Sequence, residues 1–82
     1  MRLDDFNRYT HQQRAVLVRS RGTFLAARIE EDYLTHLYYM GNFFAEIWSH
    51  DTDVQKEFVI AFEGEFLLEP YLEMVDLSEI TN

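Results

Sequence analysis

The sequence of 82 residues contains no cysteine, one proline and three glycines. Without cysteine, no disulfide or thiolate-bound metal can hold the fold, and a reducing compartment is unremarkable. No apolar run approaches the roughly 20 residues that a membrane-spanning helix needs. The polar start of the chain also lacks the apolar segment of a secretory signal. We therefore expect a single cytoplasmic domain over residues 1–82, with no membrane partner.

Hydrophobic residues make up 48% of the chain and aromatic residues 16%, which argues against disorder. A chain of this length buries only about 60–65% of its unfolded surface, so its stability is expected to be marginal. The remaining ways to stabilise it are a dense core or association with another chain.

The net charge of −8 is divided unevenly along the chain. Residues 1–28 carry six arginines and two aspartates, a net charge of +4, whereas residues 29–82 carry one lysine and thirteen acidic residues, a net charge of −12. The favoured interpretation is that basic and acidic segments of one molecule pack together. The alternative is an acidic surface for a basic partner. Binding to nucleic acid is disfavoured, because phosphates would meet a strongly negative body.

Two stretches at the ends of the chain have helical signals. "THQQ", starting at Thr10, fits a capping box for a helix over residues 11–21, after a short helical turn over residues 3–8. Gly22 then stands where a helix commonly ends in a left-handed residue. Near the other end, the spacing of apolar residues predicts a helix that starts near Glu69, with Pro70 in its first turn.

Four strand-like runs lie between these helices: Thr23–Glu30, Tyr33–Met40, Phe43–Ser49 and Val54–Phe62. Short connections predict antiparallel neighbours, and Gly41-Asn42 suits a turn in which glycine takes a positive φ. The predicted fold class is α+β: an N-terminal helix, a four-stranded antiparallel β-meander and a short C-terminal helix.

The two-residue loops predict which side chains share a sheet face, because Glu30 then pairs with Tyr33 and Met40 with Phe43. The first face, assigned to the helices, would hold Leu25, Ala27, Ile29, Leu34, His36, Tyr38, Met40, Phe43, Ala45, Ile47, Ser49, Phe58, Ile60 and Phe62. The second face would hold Phe24, Ala26, Arg28, Glu30, Tyr33, Thr35, Leu37, Tyr39, Phe44, Glu46, Trp48, His50, Glu57, Val59 and Ala61.

The second face mixes charged residues with large apolar ones, and such a surface often marks an interface. The predicted interaction face consists of Phe24, Arg28, Leu37, Tyr39, Phe44, Glu46 and Trp48. Within it, Arg28 and Glu46 lie two strands apart, within the reach of long side chains, close to Trp48. The simplest alternative is that a terminus or a helix of the same chain covers this face.

No constellation in the sequence predicts catalysis, a cofactor or a metal ion. Ser49-His50-Asp51 has the residue types of a hydrolase triad, but neighbouring strand residues point to opposite faces. The stretch 51–57 begins like a calcium loop, yet its sixth and twelfth positions are Lys56 and Phe62. The three histidines have no spacing typical of zinc ligands, and the glycines form no phosphate loop.

Three segments, "RGTFLAARIEEDY", "NFFAEIW" and "LLEPYLEMVDLS", resemble a group of short uncharacterised bacterial proteins. In that group a capped helix, a small antiparallel sheet and a closing "LEPYL"-type helix follow in this order. The resemblance covers most of the chain and implies the architecture but no activity.

The leading functional hypothesis is a small acidic protein that is not an enzyme and acts by protein–protein interaction, as a homodimer. One alternative is an acidic inhibitor, or a nucleic-acid-mimicking decoy, of a basic protein. The other is a binder of a small ligand held between the sheet and a helix.

Overall fold

The computed structural model describes residues 1–64, which form two helices and one sheet. The elements are α1 (Leu3–Phe6), α2 (His11–Arg21), β1 (Thr23–Glu30), β2 (Tyr33–Tyr39), β3 (Phe44–His50), a 3₁₀ turn (Val54–Lys56) and β4 (Phe58–Phe62). The strands are antiparallel in the order β1-β2-β3-β4. The α+β class and the four-stranded meander are thus confirmed. The helix predicted to start near Glu69 lies outside the described residues.

Helix α2 begins with the predicted capping box. The Thr10 hydroxyl oxygen accepts a hydrogen bond from the Gln13 backbone N–H at 3.1 Å, and the Gln13 side-chain oxygen accepts one from the Thr10 backbone N–H at 3.0 Å. These bonds satisfy two backbone donors that the first turn of a helix leaves without partners. Within residues 1–64, no helix is long and apolar enough to cross a membrane.

Gly22 ends α2, but not in the predicted left-handed conformation. Its φ of −81° is available to any residue. A Cβ atom at this position would instead lie 2.7 Å from the Val18 carbonyl oxygen and 2.9 Å from the Met40 sulfur. Glycine is therefore required here by the close approach of the helix end to β2, and not by its backbone freedom.

The β2–β3 hairpin has the predicted register. The Met40 N–H donates to the Phe43 carbonyl at 2.8 Å, and Gly41 has a φ of +102°. From this turn onwards Tyr38 is opposite Ala45 and Leu37 is opposite Glu46. A two-residue loop with glycine at its first position thus sets the faces of both strands.

The β1–β2 pairing follows the predicted register only as far as Ala26. A bulge then changes the register, so that Ala26 is opposite Leu37 but Phe24 is opposite Tyr38. The predicted faces of Phe24 and Leu25 are therefore wrong. Phe24 lies on the first face, where its ring meets His36 at 5.9 Å and Tyr38 at 5.6 Å. Leu25 packs against the apolar cluster on the second face.

Strand β4 starts later than predicted and presents the opposite faces. Asp53 accepts a hydrogen bond from the Gln55 backbone N–H at 3.0 Å and caps the 3₁₀ turn, so that the strand begins only at Phe58. Trp48 is then opposite Phe58 and Ile47 is opposite Val59. Correspondingly, the side chains of Phe58, Ile60 and Phe62 lie on the second face, and those of Glu57, Val59 and Ala61 lie on the first.

The main core lies between the helices and the first face, as predicted. Its buried members are Phe6, Ala15, Val18, Phe43, Ala45, Ile47 and Val59. The strand members of this core come from the β3–β4 half of the sheet and its adjoining turn, and both helices contact β4. A smaller buried cluster on the second face consists of Ala26, Leu37, Phe44 and Phe62.

Candidate interaction surface

One row of side chains crosses all four strands on the second face. Arg28 is opposite Thr35, Thr35 is opposite Trp48, and Trp48 is opposite Phe58. The Trp48 and Phe58 rings stack with 5.4 Å between their centroids and 15° between their planes. Because Thr35 is small, the Arg28 guanidinium reaches over it to within 5.4 Å of the Trp48 ring centroid. This distance is typical of a cation–π interaction.

Arg28 also approaches two carboxylates. Its guanidinium lies 3.8 Å from a Glu46 oxygen and forms an ion pair with Glu30. Glu46 is only 4% exposed, and burying a carboxylate is costly unless it is paired or hydrogen-bonded. Arg28, Glu46 and Trp48 therefore come together as the sequence predicts, with Thr35 as the residue bridged. Among the described residues 1–64, the buried Thr35 hydroxyl and Trp48 indole N–H have no hydrogen-bond partner.

The other predicted members of the interaction face are packed inside the chain. Leu37 and Phe44 are buried, and the Phe44 ring stacks on Phe62 with a centroid distance of 5.6 Å. Tyr39 is half-buried, and its hydroxyl donates to the Gly41 carbonyl at 2.6 Å. The predicted set does not form a continuous exposed surface of the single chain. Its role in binding a partner stays a prediction.

Phe24 is the exception, because the bulge carries it to the first face. There it is 51% exposed, and Ile29 at 80% and Leu34 at 40% lie on the same face at the hairpin end of the strands. We call this surface the β1–β2 shelf. Its residues are Phe24, Ala27, Ile29, Leu34, His36 and Tyr38. The buried strand residues of the main core lie on the β3–β4 half of this face. On the shelf, Phe24, Ile29 and Leu34 remain exposed.

The two edges of the sheet differ. On β4, the Val59 carbonyl accepts a hydrogen bond from the Arg14 guanidinium at 3.2 Å, and the Val59 N–H donates to the His11 ring at 3.1 Å. Helix α2 therefore occupies this edge with two side chains. Among residues 1–64, no strand pairs with the outer side of β1. An open edge carries backbone groups that can pair with another strand.

Acidic side chains surround the hairpin end of the shelf. An open hollow there is lined by three apolar or aromatic residues and three acidic ones: Ile29, Tyr33, Leu34, Glu31, Asp32 and Asp51. The three acidic residues are exposed. This combination fits a partner that brings an apolar side chain next to a positive charge.

The loop after β3 uses its polar groups locally. The His50 ring nitrogen accepts hydrogen bonds from the backbone N–H groups of Thr52 at 3.3 Å and Asp53 at 3.2 Å. The Ser49 hydroxyl instead donates to Glu57 at 3.2 Å, on the opposite face of the strand. Within residues 1–64, no group of three or more acidic or histidine side chains is placed to hold a metal ion.

Sequence reasoning missed the shelf because it assumed unbroken alternation along β1. Ile29 and Leu34 were assigned to the correct face, but that face was expected to be covered by the helices. The available signal was the hairpin itself, because its acidic loop Glu31-Asp32 lies between the apolar residues Ile29 and Leu34. Comparisons with protein-family models, with curated proteins and with solved structures found no match.

Proposed function

We propose that this chain is a small, cytoplasmic, non-catalytic acidic protein that acts by protein–protein interaction, as a homodimer. The contact surface in this proposal is the β1–β2 shelf together with the open edge of β1. The observation that carries it is the joint exposure of Phe24 and Ile29 on the edge strand β1 and of Leu34 on the neighbouring strand.

Large apolar side chains exposed together favour association, since a partner removes their surface from water. Single exposed residues such as Val54, at 87%, need no such explanation. The shelf differs because its apolar residues are cross-strand neighbours: Phe24 is opposite Tyr38, and Ile29 is opposite Leu34. The occupied edge of β4 leaves β1 as the described edge at which a partner strand could add.

The hydrogen-bonding pattern supports a binding role over catalysis. His11 is bonded to the β4 backbone, His50 to its own loop and Ser49 to Glu57. A general base or nucleophile must instead point at a site where a substrate can sit. The absence of cysteine is consistent with a reducing compartment.

Light scattering on a size-exclusion peak tests the proposal. The wild-type chain is expected to elute as a dimer at micromolar concentration, and Ile29→Glu as a monomer, because a charge at the shelf must be desolvated on association. Val54→Glu is the matched control, since it places the same charge on an exposed apolar position away from the shelf, and it should remain dimeric.

Circular dichroism must show that both variants are folded. A wild-type chain that stays monomeric throughout the micromolar range would overturn the proposal. A dimer that persists in Ile29→Glu would show that association uses another surface.

A further inference from the structure

We propose that two copies join β1 to β1 in antiparallel orientation, around a two-fold axis at Ala27, to form one continuous eight-stranded sheet. This inference rests on the proposed homodimer and adds the partner strand and its register. A two-fold axis normal to the sheet reverses the strand direction and keeps the first faces of both copies on the same side.

The hydrogen-bond pattern indicates which backbone groups of β1 face outward. In an antiparallel pair, successive residues turn their N–H and C=O groups alternately towards and away from the neighbouring strand. The bonds from Met40 to Phe43 and from Asp51 to Asp32 show that even-numbered residues of β2 face β3, so its odd-numbered residues face β1. With Arg28 opposite Thr35, the groups of Arg28 point to β2 and those of Ala27 and Ile29 point to the open edge.

A register centred on Ala27 matches side chains of the same face. Ala26 of one copy is then opposite Arg28 of the other, and both lie on the second face. If each copy leaves its bulge at Leu25 unpaired, Phe24 is opposite Ile29 on the first face. Directly opposed aromatic and β-branched residues stabilise antiparallel pairs. The shelf residues with the largest exposed fractions, Ile29 and Phe24, thus contact each other in both halves of the dimer.

Charges at the two ends of the joined strands complement each other. Arg21 ends α2, two residues before β1, and lines a hollow with Asp5 and Tyr9. The same register brings this end of the helix next to the Glu31-Asp32 hairpin of the other copy, twice by symmetry. Arg21, Glu31 and Asp32 are exposed in the single chain. The competing register centred on Arg28 would instead place two arginines opposite each other, which is unfavourable. Complementary charges therefore select the Ala27 register.

The absence of cysteine allows a direct test by cross-linking with a short bis-maleimide. In the proposed dimer the two copies of residue 27 have Cα atoms about 5.5 Å apart. The two copies of residue 23 lie six strand steps apart, roughly 20 Å. Ala27→Cys is therefore expected to give a covalent band at twice the chain mass of 9.9 kDa, and Thr23→Cys none.

Light scattering on the same two variants separates the possible failures. A dimer in which Ala27→Cys does not cross-link, or in which Thr23→Cys cross-links as well, would overturn the register and leave the proposed homodimer standing. Monomeric behaviour of the wild-type chain and of both variants would overturn both proposals.

Discussion

Glu31, the first loop residue between β1 and β2, has a backbone φ of +52°. This left-handed conformation costs a non-glycine residue roughly 1 kcal/mol, and asparagine tolerates it better than glutamate. Glu31→Asn is therefore expected to raise the free energy of unfolding by about 0.5 kcal/mol. Urea unfolding followed by Trp48 fluorescence would measure it. Asp32→Asn, which removes the same charge one residue later, is the control. An equal gain in the control would assign the effect to charge and not to the backbone.

Gly22 is constrained by space. An alanine Cβ there would lie within 3.0 Å of the Val18 carbonyl oxygen and the Met40 sulfur, and one of these atoms is backbone. We expect Gly22→Ala to lower the free energy of unfolding by about 1–3 kcal/mol, the usual cost of overpacking. Ser20→Ala, on the exposed side of the same helix turn, should change it by less than about 0.5 kcal/mol. Equal stability of Gly22→Ala and wild type would contradict the predicted clash.

Turn chemistry explains how much of the sheet could be predicted from the sequence. The loops at Glu31-Asp32 and Gly41-Asn42 each hold two residues, and they set the pairing of Arg28 with Thr35 and of Leu37 with Glu46. The contact of Arg28 with Glu46 and Trp48 follows from these registers alone. The predicted faces are wrong at the start of β1, which is far from its loop, and in β4, which follows a longer connection.

The two errors have different physical origins. Phe24, Leu25, Ala26 and Ala27 form an unbroken apolar run, so no polar residue marks where the bulge inserts its extra residue. After β3, the hydrogen bond from Gln55 to Asp53 stabilises a 3₁₀ turn where β-strand propensity also fitted. Because the side-chain period of a strand is two, the bulge reverses the faces of the β1 residues before it, and the 3₁₀ turn reverses those of the β4 residues after it.

The contact of Arg28 on β1 with the buried Glu46 on β3 should stabilise the arrangement of these two strands in the sheet. Arg28→Met removes the guanidinium that contacts both the buried Glu46 and Glu30, so it is expected to lower the free energy of unfolding by about 2 kcal/mol. The double variant Arg28→Met with Glu46→Met should lose less than the sum of the two single variants. The difference is the coupling energy of the pair, measured as a double-mutant cycle by urea unfolding.

Arg19 and Glu57 provide the matched control for this cycle. They form an ion pair at 3.0 Å, but Arg19 is half-exposed and Glu57 is nearly a third exposed. Arg19→Met should therefore cost less than about 1 kcal/mol. A coupling energy for Arg28 and Glu46 no larger than that of the exposed pair would show that burial adds nothing to their interaction.

The two edges of the sheet differ in the contacts that other parts of the chain make with them. Helix α2 brings Arg14 and His11 to the β4 edge, and Arg19 to Glu57 before that strand. Arg19 thus pairs with an acidic residue of the later segment, whereas Arg14 and His11 bond to backbone groups of Val59. That the basic and acidic segments pack together as a whole stays a prediction. Arg21, at the end of α2 that leads into β1, and the acidic hairpin of Glu31 and Asp32 are both exposed. The proposed dimer pairs these remaining opposite charges between two copies.

Charge reversal tests whether Arg21 pairs with the acidic hairpin of the other copy. Each substitution changes the interface in two places, because the dimer is symmetric. Arg21→Glu should weaken dimerisation roughly tenfold, since two exposed attractions, each worth about 0.2–1 kcal/mol, become repulsions. Adding Asp32→Arg in the same chain restores opposite charges across the interface and should recover most of the affinity. Lys56→Glu, which changes net charge equally in the 3₁₀ turn, is the control. Dimer dissociation constants from sedimentation equilibrium at low salt would measure the effect. Equal weakening by the Lys56 variant and the Arg21 variant would show that net charge controls association. Because Asp32→Arg restores the wild-type net charge, its failure to recover affinity would show that Arg21 and Asp32 do not pair across the interface.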